Sequence, residues 1–139
     1  MNATFEEKSV WIQLFSLLVV LGLYFVIATN MMLSGVTHIA AFIPLFVVAV
    51  ILLVVIQVAG HVVAAIANKP ESRDERDQLI KWRAESNASW ILGVGVLAAI
   101  AGLVVSDETV WIAHLLLFSL LISEVVTLVF QIYYYQKGI

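Results

Sequence analysis

Four long apolar runs determine what this chain can fold into. They cover residues 10–32, 38–67, 88–105 and 110–135 of a 139-residue sequence. A membrane-spanning helix needs about 20 mostly apolar residues. Backbone groups in lipid must be hydrogen-bonded within their own segment, and these runs do not alternate as the strands of a membrane barrel do. The sequence therefore predicts an all-α fold, a four-helix transmembrane bundle made of two hairpins in one domain.

Charged residues are scarce and gathered in one stretch. They make up 12% of the chain, against about 25% in a soluble domain. Residues 69–86, here called the charged segment, hold five of the seven basic and five of the ten acidic residues. A net charge of −3 leaves no basic surface for nucleic acid, and the absence of cysteine excludes disulfides and thiolate metal sites. The expected surroundings are the lipid bilayer.

The basic residues also predict an orientation. All seven lie near the N-terminus, in the charged segment or near the C-terminus, and none lies in the two short turns. Loops rich in lysine and arginine stay in the cytoplasm. We therefore expect both termini and the charged segment to be cytoplasmic, with the four spans in the cytoplasmic (inner) membrane. The first run has membrane length and an acidic start, so we expect it to remain in the mature protein.

The two hairpins share a weak similarity. Trp11 and Trp90 follow polar residues where each hairpin begins, and Gln57 and Gln131 end similar apolar stretches. This pattern allows a parallel internal repeat with a pseudo-two-fold axis along the membrane normal. Chance similarity between apolar sequences is the alternative.

The charged segment has the features of a helix. Ser72 and Glu75 have the spacing of a capping box, and Asp77 and Lys81 form a favourable i,i+4 pair. Such a helix either lies on the lipid surface or continues into the third span. The residues expected to bind a partner or lipid headgroups are Arg73, Asp74, Glu75, Arg76, Asp77, Lys81 and Arg83.

Glu124 is the outstanding polar residue of the fourth run. It lies 11 residues before Tyr135, or about 16 Å along a helix, which predicts a position near the middle of the membrane. Thr127 and Gln131 extend a polar stripe that should face protein rather than lipid. Ionisable residues within a membrane often mark function. Glu124 is therefore either a proton-coupling or ligand site or a protonated carboxyl that bonds between helices.

A second polar group is expected in the half of the bundle that carries the charged segment. Gln57 and His61 are one helical turn apart, at a depth similar to that of Gln13, Ser16 and Gln131. The group forms either a polar cluster with a function or a hydrogen-bonded packing layer.

The opposite half offers only a weak metal candidate. His38 and His114 are expected near Asp107 and Glu108, which are residue types that bind metals or sense pH. Solvated histidines are the alternative. The chain contains no hydrolase, zinc-protease or phosphate-loop motif, so an enzyme is not expected and no cofactor is predicted.

Several short motifs resemble an uncharacterised family of small prokaryotic membrane proteins, a domain of unknown function. They are Glu-Glu-Lys-Ser at 6–9, Asp-Glu-Arg-Asp at 74–77, Trp-Ile-Ala at 111–113 and the C-terminal Tyr134, Tyr135 and Gly138. The resemblance implies four spans and no established activity. Genes of this kind often lie beside small helix-turn-helix regulators, which implies a membrane protein that regulates a cytoplasmic partner. Gln136 and Lys137 stand where the family often has two arginines.

Two functions follow from these patterns. The first is a non-enzymatic regulatory or adaptor protein that engages a cytoplasmic partner or lipid headgroups through the charged segment. The second is a small dimeric transporter or channel with Glu124 as its coupling or ligand site. We expect a homodimer in either case, with the third or fourth helix at the seam, since four spans enclose little interior.

Overall fold

Four α-helices account for nearly all of the described chain. The computed structural model describes residues 5–67 and 75–137. The helices are α1 (Phe5–Leu33), α2 (Ile43–Ala67), α3 (Glu75–Val105) and α4 (Thr109–Lys137), with a 3-10 turn at Ile39–Phe42 before α2. All four are long and apolar enough to cross a membrane. The chain is thus an all-α, multi-pass membrane protein with the fold that the sequence predicts.

Helices α1, α3 and α4 extend beyond their apolar runs, and α3 does so the most. It begins at Glu75 and continues without a break to Val105, over 31 residues. The charged segment therefore runs directly into the third span, which decides between the two placements that the sequence allows. The predicted cap at Ser72 lies outside the described residues.

The bundle has two different ends. The turn end carries residues 34–38 and 106–108, and the charged end carries the start of α1 and α3 and the end of α2 and α4. At the turn end Gly35 has φ of 98°, a left-handed conformation that glycine adopts without steric cost. Ser106 accepts a hydrogen bond from the backbone N–H of Glu108 at 3.1 Å, which supports the start of α4.

The helices pack in the order α2, α1, α4, α3. Helix α1 contacts α2 and α4, and α4 contacts α3. Among the described residues there is no extensive contact between α2 and α3. A parallel repeat would place α2 against α3 as α1 lies against α4, so the packing gives the predicted repeat no support. Helices α2 and α3 form the two edges of the bundle.

Two separate hydrophobic cores lie along the α1–α4 pair. The charged-end core is built from α1, α3 and α4, and its buried members are Val10, Leu14, Ile80, Ala84, Leu128, Ile132, Tyr134 and Tyr135. The turn-end core is built from α1, α2 and α4 together with the 3-10 turn, and its buried members are Val20, Tyr24, Ala28, Met32, Phe42, Ala49 and Val110.

Glycines bring neighbouring helices close together at two places. A methyl group on Gly95 of α3 would collide with Ser119 of α4, and one on Gly60 of α2 would lie 2.8 Å from a carbon of Ile12 in α1. Gly93, two residues before Gly95, faces open space instead. Gly95 and Gly102 of α3 therefore serve the α3–α4 contact, as expected for helices that associate in lipid.

Candidate functional site

The charged segment is tied to the end of α4 through Tyr135. The Tyr135 hydroxyl donates a hydrogen bond to Asp77 at 2.5 Å. Arg76 donates one to the Tyr135 carbonyl oxygen at 3.2 Å, and its guanidinium lies 5.5 Å from the centre of the Tyr135 ring. One tyrosine thus receives three contacts from a single turn of α3.

Tyr134 makes a second set of contacts about two to three turns further along α3. Asn87 donates a hydrogen bond to the Tyr134 hydroxyl at 2.5 Å, and the Arg83 guanidinium lies 5.9 Å from the ring centre. Between the two tyrosine contacts, Ile80 and Ala84 are fully buried against α1 and α4. Since the residues concerned recur every three or four positions, they form one face of α3, and that face is fixed to the bundle.

The opposite face of the charged segment is open. Leu79 is 48% exposed and Trp82 is 63% exposed. Charged and polar neighbours surround them, and an ion pair joins Lys81 to Glu85 at 3.9 Å. Of the residues predicted to bind a partner, Glu75, Arg76 and Arg83 are exposed, Asp77 and Lys81 are half-buried, and Arg73 and Asp74 lie outside the described residues. We call the exposed residues Glu75, Gln78, Leu79, Trp82 and Glu85 the outward face.

His61 anchors a polar cluster between α1 and α2. Its Nε2 lies 2.7 Å from the Ser9 hydroxyl, and its Nδ1 lies 2.7 Å from the carbonyl oxygen of Gln57. A carbonyl can only accept, so Nδ1 carries a proton, and in the neutral ring Nε2 accepts from Ser9. Gln13 donates to Ser9 at 3.2 Å. Every polar ring atom is thus satisfied, as in a packing layer between helices.

The polar residues of α4 do not join this cluster, because α2 packs against α1. Thr127 is buried and donates to the Ser123 carbonyl at 2.8 Å, Gln131 is half-buried, and Glu124 is exposed on the outside of the single chain. The stripe that the sequence predicts is therefore divided between the interior and the surface.

The packing of α3 against α4 sets the level of Glu124 along the bundle. Ser119 lies against Gly95, and the two helices are antiparallel, so Glu124 is about level with Trp90. The polar residues Asn87 and Ser89 of α3 lie within about one turn of this level. A glutamate at this depth can extend its carboxyl toward the headgroup region.

The two predicted histidines of the turn end lie in different surroundings. His114 is buried, donates from Nδ1 to the Val110 carbonyl at 2.9 Å, and has Nε2 2.8 Å from the Tyr24 hydroxyl. The rings of Tyr24 and Phe42 lie 5.7 Å and 4.7 Å from its ring centre. His38 is exposed.

The acidic residues of the turn end lie at a pocket between the two turns. A pocket of about 500 Å³ separates the two turns, and Asp107 and Glu108 line it but His38 and His114 do not. Within residues 5–67 and 75–137 no three histidine, aspartate or glutamate residues are grouped as a metal site.

Sequence reasoning missed the tyrosine contacts. It identified the charged segment as a binding surface, but it named Tyr134 and Tyr135 only among the short motifs that resemble a family. The signal that could have found them was the coincidence of two tyrosines with arginine, aspartate and asparagine at the same end of a short bundle.

No family model matches the chain, and neither a curated protein nor a solved structure matches it.

Proposed function

We propose that this protein is a non-enzymatic membrane adaptor or regulator whose outward face binds a cytoplasmic protein. The observation that carries the proposal is Trp82, which is 63% exposed on a helix whose other face is fixed by Tyr134 and Tyr135. Tryptophan is enriched among the residues that dominate binding energy. A helix that is already ordered loses little entropy when a partner binds.

The orientation of this surface follows from the basic residues. The described ones, Lys8, Arg76, Lys81, Arg83 and Lys137, all lie at the charged end. By the positive-inside rule that end is cytoplasmic in an inner membrane, and the outward face is then accessible to soluble proteins. The gene neighbourhood implied by the family resemblance, next to helix-turn-helix regulators, favours a regulatory partner.

Site-specific photo-crosslinking in native membranes tests the proposal. A photoreactive residue replaces Gln78, which is exposed one turn from Trp82, and a control probe replaces Leu97 on the apolar part of α3. We expect the probe at 78, but not the one at 97, to capture a discrete protein. Trp82→Ala should remove most of that adduct, whereas Trp90→Ala, a matched change at another exposed tryptophan, should not. Capture of lipid alone at position 78 would assign the outward face to headgroups.

A second candidate is a small dimeric transporter or channel that uses Glu124 as its proton-coupling or ligand site. The observation in its favour is the exposure of Glu124 on an otherwise apolar outer surface of α4. A proton, a polar ligand or a second copy of the chain would each stabilise a carboxyl that stays in that position. Glu124→Gln in reconstituted vesicles should abolish pH-dependent flux or binding; unchanged pH dependence would exclude the coupling role.

A further inference from the structure

The two edges of the bundle differ in apolar length. At the α3 edge only residues 88–105 are apolar, which is about 27 Å of helix and close to the 30 Å of a bilayer core. At the α2 edge the α-helix runs from Ile43 to Ala67 over 25 residues without a charged side chain, or about 38 Å. When both lengths are measured from the turn end, the additional length of α2 lies at the charged end.

The contacts that α1 makes with α2 and α3 show which residues lie beside this additional part of α2. Gly60 packs against Ile12 and His61 bonds Ser9, so the last two turns of α2 lie beside the polar start of α1. The neighbouring Val10 of α1 shares a core with Ile80. The last two turns of α2 are therefore level with the charged segment, yet Val62 and Val63 are exposed there and Ile66 is 82% exposed. Apolar side chains at this level need an apolar cover.

A continuous groove between α1 and α2 runs through this region. Two cavities of about 700 Å³ and 330 Å³ share Trp11, Ile12 and Gly60 in their walls. Ala59 and Ala64 add small side chains on the α2 side. Of the described residues that line the groove, Lys8 alone is charged, and it lies toward the charged end.

We propose that this groove binds an anionic phospholipid, with an acyl chain along Gly60 and the phosphate beside Lys8. The groove suits a single acyl chain because Ala59, Gly60 and Ala64 leave space on its α2 side and it opens to the lipid side of the bundle. Lys8 supplies the complementary charge, and Trp11 has the amphipathic ring that is typical of the headgroup level. A lipid held here also covers the excess apolar length of α2, which a bilayer of ordinary thickness does not reach.

Native mass spectrometry of the purified full-length chain tests this site. The protein is equilibrated with equal amounts of phosphatidylglycerol and phosphatidylcholine that carry identical acyl chains, and the retained lipids are counted. One lysine near an anionic headgroup predicts a roughly fivefold preference for phosphatidylglycerol. Lys8→Gln should abolish the preference and keep the bound lipid, whereas Lys137→Gln, a change at the end of α4, should keep both.

Filling the groove separates a lipid site from other occupants. Ala64→Phe should remove the retained lipid, and the smaller change Ala59→Leu should weaken retention if the first variant folds poorly. Ala98→Phe, at an exposed alanine of α3, is the control and should retain it. Equal retention of the two lipids by the unmodified protein would overturn the proposal. So would a lipid-free dimer that Ala64→Phe dissociates, since a second copy would then occupy the groove.

Discussion

The charged-end core and the turn-end core use the same two helices but satisfy their polar groups differently. At the turn end the Tyr24–His114 hydrogen bond is buried among aromatic rings. At the charged end Tyr135 bonds Asp77 on a segment with an exposed opposite face. A polar atom that loses its partner in an apolar interior stays unsatisfied, whereas one near water finds a new partner. The turn-end core should therefore tolerate less change.

Removal of the His114 ring should give the largest effect. His114→Ala leaves a cavity among Tyr24 and Phe42 and removes the partner of the Tyr24 hydroxyl, so we expect a loss of about 3 kcal/mol in unfolding free energy. His38→Ala, at an exposed position, should change it by less than about 0.5 kcal/mol. Denaturant unfolding in mixed micelles measures both. Equal losses for the two variants would mean that the buried ring makes no special contribution.

A pair of glycine substitutions in α3 tests its contact with α4. Gly95→Ala places a methyl group against Ser119 and should destabilise the protein by about 2 kcal/mol, since overpacking forces helices apart. Gly93→Ala faces open space and should be neutral or stabilise by up to about 1 kcal/mol. Hydrogen exchange should show that Gly95→Ala loosens the charged-end core first, because α3 contributes to that core and not to the other. Uniform loss of protection would contradict the division into two cores.

The same chemical change at the two tyrosines gives the most direct comparison and the smallest effects. Tyr24→Phe leaves Nε2 of His114 without its partner in a buried site, at a cost of about 1.5 kcal/mol. Tyr135→Phe should cost about 0.5 kcal/mol, close to the average for hydrogen bonds in membrane proteins. Thermal unfolding of the two variants side by side measures the difference. A larger loss for Tyr135→Phe would reverse the ranking of the two cores.

Sequence alone predicted the parts of the fold that depend on hydropathy. The four spans and the helical character of the charged segment follow from the composition of single segments. Each of these features is local, so the chain order suffices to find it.

The order of the helices across the bundle could not be predicted in the same way. Helices that are apolar on all sides carry no periodic signal for the face that meets a neighbour. The sequence therefore placed Gln57 and His61 near Gln131, although this part of α2 packs against α1. It also placed Glu124 by counting from Tyr135, whereas its depth depends on how α4 aligns with α3.

The unbroken course of α3 has a mechanical consequence. Its backbone hydrogen bonds run from the outward face to Val105, which makes α3 a continuous helix of about 46 Å. It contains no proline, the usual cause of a sharp kink. A protein that pulls or turns the helix at Trp82 must therefore either break it or move Gly95 and Gly102 against α4. The displacement would reach the pocket between the two turns, on the far side of the membrane from the applied force.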